Sequence, residues 1–186
     1  MIVLVENDSI TKTVPSNRGI TIGENQYPRA IYTLWSPAER EAIGIYEVVY
    51  DNSNYKDSEY YNNTNQSLNF ADGKVTASHG SATAKDLTDV TNEDSTVTLG
   101  LKSQKKENIK QQASGLLTPT DWYVIKATEV DSYSVPAEMT TYRAAVRTAS
   151  NDMEALIDAC STVDELAALY VPVDETRPLG EFPEAV

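Results

Sequence analysis

The sequence predicts an α+β protein with a β-rich beginning, a polar middle and a helical end. Three observations carry this expectation. Short runs of strand-forming residues crowd the first fifty positions. Residues 51–66 are mostly Asn, Ser, Asp and Tyr with neither a helical nor a strand period, and residues 80–97 are polar and rich in Thr and Ser. From about Thr98, apolar residues recur three and four apart. The expected organisation is a β-rich region over 1–50, polar loops or a linker over 51–97, a helical domain (a hairpin or small bundle) over 98–170, and an extended tail over 171–186.

Each element has its own reason. "MIVLV" is a short apolar strand run, and "GITIG" alternates Ile20 and Ile22 with smaller or polar neighbours. "RAIYTLW" reads as a further strand from its β-forming residues. Ser36-Pro37-Ala38-Glu39 is a helix start: Ser36 caps, Pro37 suits the first helical position, and Glu39 reaches back. Gly44 ends that helix, and 45–50 resume as a strand. Residues 51–66 form a loop or hairpin tip, and Asp72-Gly73 is the turn of a hairpin. Residues 80–97 read as a linker, or as an extended segment that docks on a partner.

The helical part opens with a narrow stripe of Leu101, Lys105, Ile109, Ala113 and Leu116 on a polar helix. Such a helix gains little stability alone, so it calls for a second helix or a second copy of the chain. Thr118-Pro119-Thr120-Asp121 repeats the capping signature and predicts a fresh helix. Its expected inward residues are Trp122 and Ile125. Met139, Tyr142 and Val146 are the expected core of the helix opened by Pro136, with "DMEALIDA" as a separate helical piece. Ser161 to Asp164 start the last helix, with Leu166 and Leu169 facing in. The tail, with its three prolines, is expected to be extended.

Composition narrows the function. The formal net charge is −13, and the one basic cluster, Lys102, Lys105, Lys106 and Lys110, is outweighed by the rest of the chain. That is the wrong electrostatic footprint for nucleic acid. No run approaches a membrane span, and "MIVLVENDSI" lacks the leader of a signal peptide. Cys160 is the single cysteine, so no intrachain disulfide is expected.

Chemistry finds no foothold. His79 and Cys160 are each solitary, which is too little for a catalytic pair or a zinc site. Residues 51–62 have the oxygen-rich composition of a calcium loop, but Lys56 and Asn62 stand where Gly and Glu belong. Phosphate-binding and nucleophile-elbow motifs do not occur. No carboxylate pair stands out among 28 acids, as a glycan-cleaving enzyme would need. The expectation is a non-enzymatic protein with no cofactor and no metal. Its candidate contact residues are Tyr60, Tyr61, Tyr123, Arg143 and Arg147, since tyrosine and arginine are favoured at interfaces.

Two segments resemble a known pattern. "LLTPTDWYVIK" is followed by "VPAEMTTYRAAVR". The matching positions are Leu116, Leu117, Thr120, Asp121, Trp122, Tyr123, Val124 and Ile125, then Pro136, Glu138, Tyr142, Arg143 and Arg147. Together they resemble the tail-fibre assembly proteins and related small tail proteins of tailed bacteriophages. Glu39, Gly44, Ile45 and Val48 match a second segment of that family more loosely, so the likeness spans about two fifths of the chain. It implies a virion protein of the tail or tail-fibre complex that binds a fibre or other tail protein, with homo-oligomerisation as a further option. The alternative it implies is an assembly chaperone that caps a fibre during trimer folding. The implied location is the virion tail, with the host cytoplasm during assembly.

Overall fold

A computed structural model describes residues 1–185 and shows an α+β chain in two compact units, Met1–Thr83 and the chain from Ala84 onward. Val186, the end of the expected extended tail, lies outside the described residues. The boundary differs from the expected divisions after residues 50 and 97. Residues 66–79 belong to the first unit's sheet, because their alternating apolar side chains are needed to complete it.

The first unit contains β1 (Ile2–Glu6), β2 (Ser9–Val14), β3 (Ile20–Ile22), β4 (Asn25–Tyr27), α1 (Ile31–Leu34), α2 (Pro37–Glu41), β5 (Ile45–Asp51), β6 (Tyr61–Asn62), β7 (Gln66–Ala71), β8 (Lys74–His79) and β9 (Thr83–Ala84). The main sheet has the order β2-β1-β5-β8-β7. Its pairs are antiparallel except β5 with β8. The sheet curls, and its outer strands β2 and β7 approach each other.

Both faces of this sheet are covered, which explains why "IVLV" is apolar throughout instead of alternating. Val3 and Val5 point into the curl with Val48, Val75 and Ala77. Leu4 points the other way, against Ile45, Val14 and Ile31. On that second face lie Trp35 and Tyr27, whose rings meet edge to face at 5.9 Å. Residues 31–34 therefore form a helical turn and not the expected strand. The amide of Ile31 donates to Pro28 O at 3.2 Å, and only Ile31 among these residues is fully buried. Packing one side chain onto a sheet face has overridden β propensity here.

The capping signature at Ser36 is realised in full, with the reciprocal Ser36–Glu39 bonds in place. Gly44 then turns the chain with φ of +82°, where a Cβ would meet Val5 O at 2.5 Å. Asp72 and Gly73 both take positive φ, as the β7–β8 hairpin turn requires.

The polar loop between β5 and β7 is ordered by side chains that bond to backbone. Asn63 exchanges two bonds with the Lys56 backbone at 2.9 and 2.7 Å, the pairing a strand neighbour would make. Asn54 donates to His79 O at 2.9 Å, and Gly80 N donates to Thr64 Oγ1 at 2.7 Å. Tyr60 and Tyr61 fold inward and are buried, which removes them from the expected contact set. Lys56 lies over the Tyr61 ring at 4.2 Å.

The second unit holds a small ribbon of β10 (Val90–Thr91) and β11 (Val97–Thr98), then α3 (Leu101–Leu117), α4 (Asp121–Glu129), α5 (Ala137–Ala159) and α6 (Val163–Ala168). Residues 84–100 are not a free linker. Gly100 has no capping side chain, so the preceding loop satisfies the first amides of α3. Asp86 O accepts from Leu101 N at 2.9 Å, Leu87 O from Lys102 N at 3.0 Å, and Asp89 Oδ1 from Gly100 N at 2.8 Å.

The two helices expected on either side of Ser150 are one 23-residue helix, α5. Met139, Tyr142 and Val146 are buried as expected, and the stripe continues through Met153 and Ile157. Its partner is α3, which runs antiparallel to it. Lys102 Nζ donates to Asp158 O at 2.9 Å, Lys106 pairs with the Asp158 carboxylate at 2.7 Å, and Lys110 pairs with Glu154 at 3.3 Å. The basic cluster visible in the sequence is thus engaged within the unit. α6 starts on a complete Thr162–Glu165 capping box and buries Leu166.

Candidate interaction surface

The corner at 116–126 is built differently from the capped start that its sequence predicts. Thr118 is not an N-cap. It is helical, and its hydroxyl donates back to Ser114 O at 2.8 Å. The chain runs from α3 through one 3-10 turn at Thr118–Thr120 directly into α4.

That continuity sets which side of α4 faces in. Adjacent residues on a helix differ by about 100°, so a shift of one position exchanges an inward for an outward residue. Tyr123, not Trp122, packs against the cluster of Ala113, Met139, Tyr142 and Val146. Trp122 is 49% exposed and Ile125 is 55% exposed, so neither belongs to the core. Trp122 is covered on one side by the Tyr123 ring, 3.8 Å away between centroids, and Lys126 lies 5.8 Å from its centre. Val124 and Val130 are also exposed, as are Asp121, Lys126, Thr128 and Glu129.

The corner is locked by Arg143 and not by an inward-facing Trp122. Arg143 is buried, with its side chain 9% exposed. Nη1 donates to Leu117 O at 3.0 Å and to the Thr120 hydroxyl, and Nη2 pairs with Asp121 at 2.7 Å. A guanidinium suits this place because a helix C-terminus presents unpaired carbonyls and partial negative charge. Arg143 is therefore a clasp and not a contact residue.

Arg147 remains outside. Its Nη1 donates to Arg143 O at 3.2 Å, and among the described residues it has no carboxylate partner. Beside it lies a groove of about 380 Å³ between α4 and α5, floored by Val124, Val135 and Ala144. Arg147 and Val124 line this groove, Tyr123 packs half-buried against the apolar cluster, and Tyr60 and Tyr61 are buried in the sheet unit.

The solitary chemical groups have local structural roles. His79 Nδ1 lies 2.6 Å from Thr64 O, and the ring stacks at a tilt on Tyr55. Cys160 is buried at the end of α5, where burial pushes its thiol above the usual range. Among the described residues, no group of three His, Cys, Asp or Glu side chains is placed to hold a metal ion, and no helix is long and apolar enough to cross a membrane.

The true register of α4 had a signal in the sequence. Ile109, Ala113, Leu116, Thr120, Tyr123 and Ala127 continue one stripe at alternating steps of four and three. Thr118-Pro119 masked it by imitating a helix start. Comparison with known proteins finds no matching family model, no matching curated protein and no matching solved structure.

Proposed function

We propose that the protein is a non-enzymatic component of a bacteriophage tail or tail-fibre complex, and that it binds its fibre or tail partner through the outer face of α4. The observation that carries the binding role is the exposure of two large apolar side chains one turn apart on α4, Trp122 and Ile125, at 49% and 55%. A clustered apolar patch with a tryptophan is what interfaces bury. The phage assignment is supported by the 116–126 and 135–147 segments and their resemblance to small tail proteins. In this reading the family signature has two tasks. Asp121 and Arg143 hold the corner, and Trp122 and Ile125 present it.

Mass spectrometry of washed particles from the encoding phage tests the virion role, and the protein should be found in them. Its absence would end that reading. A folded Trp122→Ala, Ile125→Ser variant should be lost from the particles, and its full retention would remove α4 from the interface. The assembly-chaperone alternative uses the same face to cover an apolar fibre edge. It requires fibre trimerisation to fail without the protein, which co-expression with the fibre measures.

A further inference from the structure

The return from α4 to α5 leaves a groove between the two helices. α4 ends at Glu129, Val130 is extended, and the chain reaches α5 through Val135 and Pro136. On α5, Met139, Tyr142 and Val146 face the apolar cluster. The neighbouring stripe is Thr140, Ala144 and Arg147, spaced four and three apart, and all three are exposed. Ala144 is the smallest of them, so the stripe dips at its middle. Val124 of α4 lines the same groove and is 41% exposed. Val135, half-buried against the cluster, supplies the floor.

The groove is separate from the face that presents Trp122. Successive helical residues are about 100° apart, so Val124 lies about 200° round α4 from Trp122.

Its charge is one-sided. The lining holds two guanidinium groups and no carboxylate. Arg143 is committed to Leu117 O, the Thr120 hydroxyl and Asp121. Arg147 is not. Its Nη1 donates to Arg143 O at 3.2 Å, which anchors the fork, and among the described residues it meets no carboxylate. A guanidinium fork is planar and matches a carboxylate through paired hydrogen bonds. An anchored fork beside an apolar floor is therefore complementary to a carboxylate that carries an aliphatic neighbour. The net charge of −13 does not forbid such a ligand. Charges more than about 8 Å away are largely screened at physiological salt, so the residues of the groove decide.

We propose that the α4–α5 groove binds an acidic peptide. One aliphatic side chain of the peptide lies on Val124, Val135 and Ala144, and the carboxylate of an adjacent residue takes the Arg147 fork. That the peptide is a segment of the tail partner rests on the function proposed above, whereas its chemistry rests on the groove alone. The space of about 380 Å³ admits roughly a dozen water-sized groups at about 30 Å³ each, enough for that side chain, the carboxylate and the backbone joining them.

The experiment is a titration of the full chain with acetyl-Ala-Leu-Glu-Ala-amide, followed by backbone amide NMR, with acetyl-Ala-Leu-Gln-Ala-amide as the control. The Glu peptide should bind with a dissociation constant on the order of millimolar, as expected for so small a ligand, and its shifts should be confined to 124, 135 and 140–147. The Gln peptide should bind about threefold more weakly, the size of one exposed ion pair. Arg147→Gln should erase the difference between the two peptides, as the double-mutant logic of a direct contact requires. Ala144→Gln, at an exposed helical position, should fill the groove and abolish binding with the fold unchanged. The proposal is overturned if the Glu peptide fails to saturate at about ten times a millimolar constant, or if the parent binds both peptides equally. It is equally overturned if Arg147→Gln keeps the difference or if Ala144→Gln binds like the parent. A free chain that sediments as a dimer, and that Ala144→Gln turns into a monomer, would overturn it in favour of a second copy in the groove. None of these outcomes bears on Trp122 and Ile125, whose loss from particles tests the outer face of α4 separately.

Discussion

The sheet unit and the helical unit hold together by different means. In the first, both sides of β1 are buried, and the apolar residues of the sheet close on one another. In the second, an apolar seam of Ala113, Met139, Tyr142 and Val146 is supplemented by polar joints: α3 is also tied to α5 through Lys102, Lys106 and Lys110, and the α3–α4 corner through Arg143. The difference teaches what an apolar side chain is free to do. A corner clasped by a guanidinium does not need its tryptophan inside, so Trp122 and Ile125 can stand on the surface.

Removing apolar contacts from the sheet unit should have the largest effect. Leu4→Ala or Ile45→Ala, each at a position 1% exposed, should destabilise by about 2–5 kcal/mol in chemical denaturation. A loss under about 1 kcal/mol would mean that the sheet's second face is not a packed core. Next comes the clasp. Arg143→Met keeps the stem but removes the guanidinium's bonds to the Leu117 carbonyl, the Thr120 hydroxyl and Asp121, and should cost about 1–3 kcal/mol. Wild-type stability in that variant would show that the corner is held some other way. Lys106→Ala breaks a partly exposed pair with Asp158 and should cost no more than about 1 kcal/mol in the same assay.

The loop-supplied cap of α3 adds a pH signature. The Ser103 hydroxyl, and then the Gly100 amide, hold the Asp89 carboxyl below its usual range. A depressed folded-state value means the contribution is present above the unfolded pKa of about 3.9. It is lost as pH falls through the lower folded value. Acid unfolding of Asp89→Asn should lack this component. An identical acid profile in parent and variant would show that Asp89 does not cap the helix.

Much of this fold is legible from local chemistry. The capping box at Ser36 was visible because it is completed within four residues, and the last helix start, expected over Ser161 to Asp164, is a box one residue later, between Thr162 and Glu165. The Asp72-Gly73 hairpin was visible for the same reason. The misreadings involve partners far along the chain. Residues 31–34 are helical because of the sheet face they cover. Tyr60 and Tyr61 are buried because the polar loop closes through Asn63 and Thr64. At the candidate surface, Thr118-Pro119-Thr120-Asp121 met the local rule for a helix start, but Arg143, more than twenty residues later, holds the chain through that point. The outward turn of Trp122 depended on register, which local residue types do not show.

Trp122 faces outward, and its proposed role is in binding instead of folding. Denaturant unfolding of Trp122→Ala tests it most directly. The account predicts a change below about 1 kcal/mol, as for surface positions. A loss of about 3–5 kcal/mol, the usual result of truncating a buried tryptophan, would contradict it.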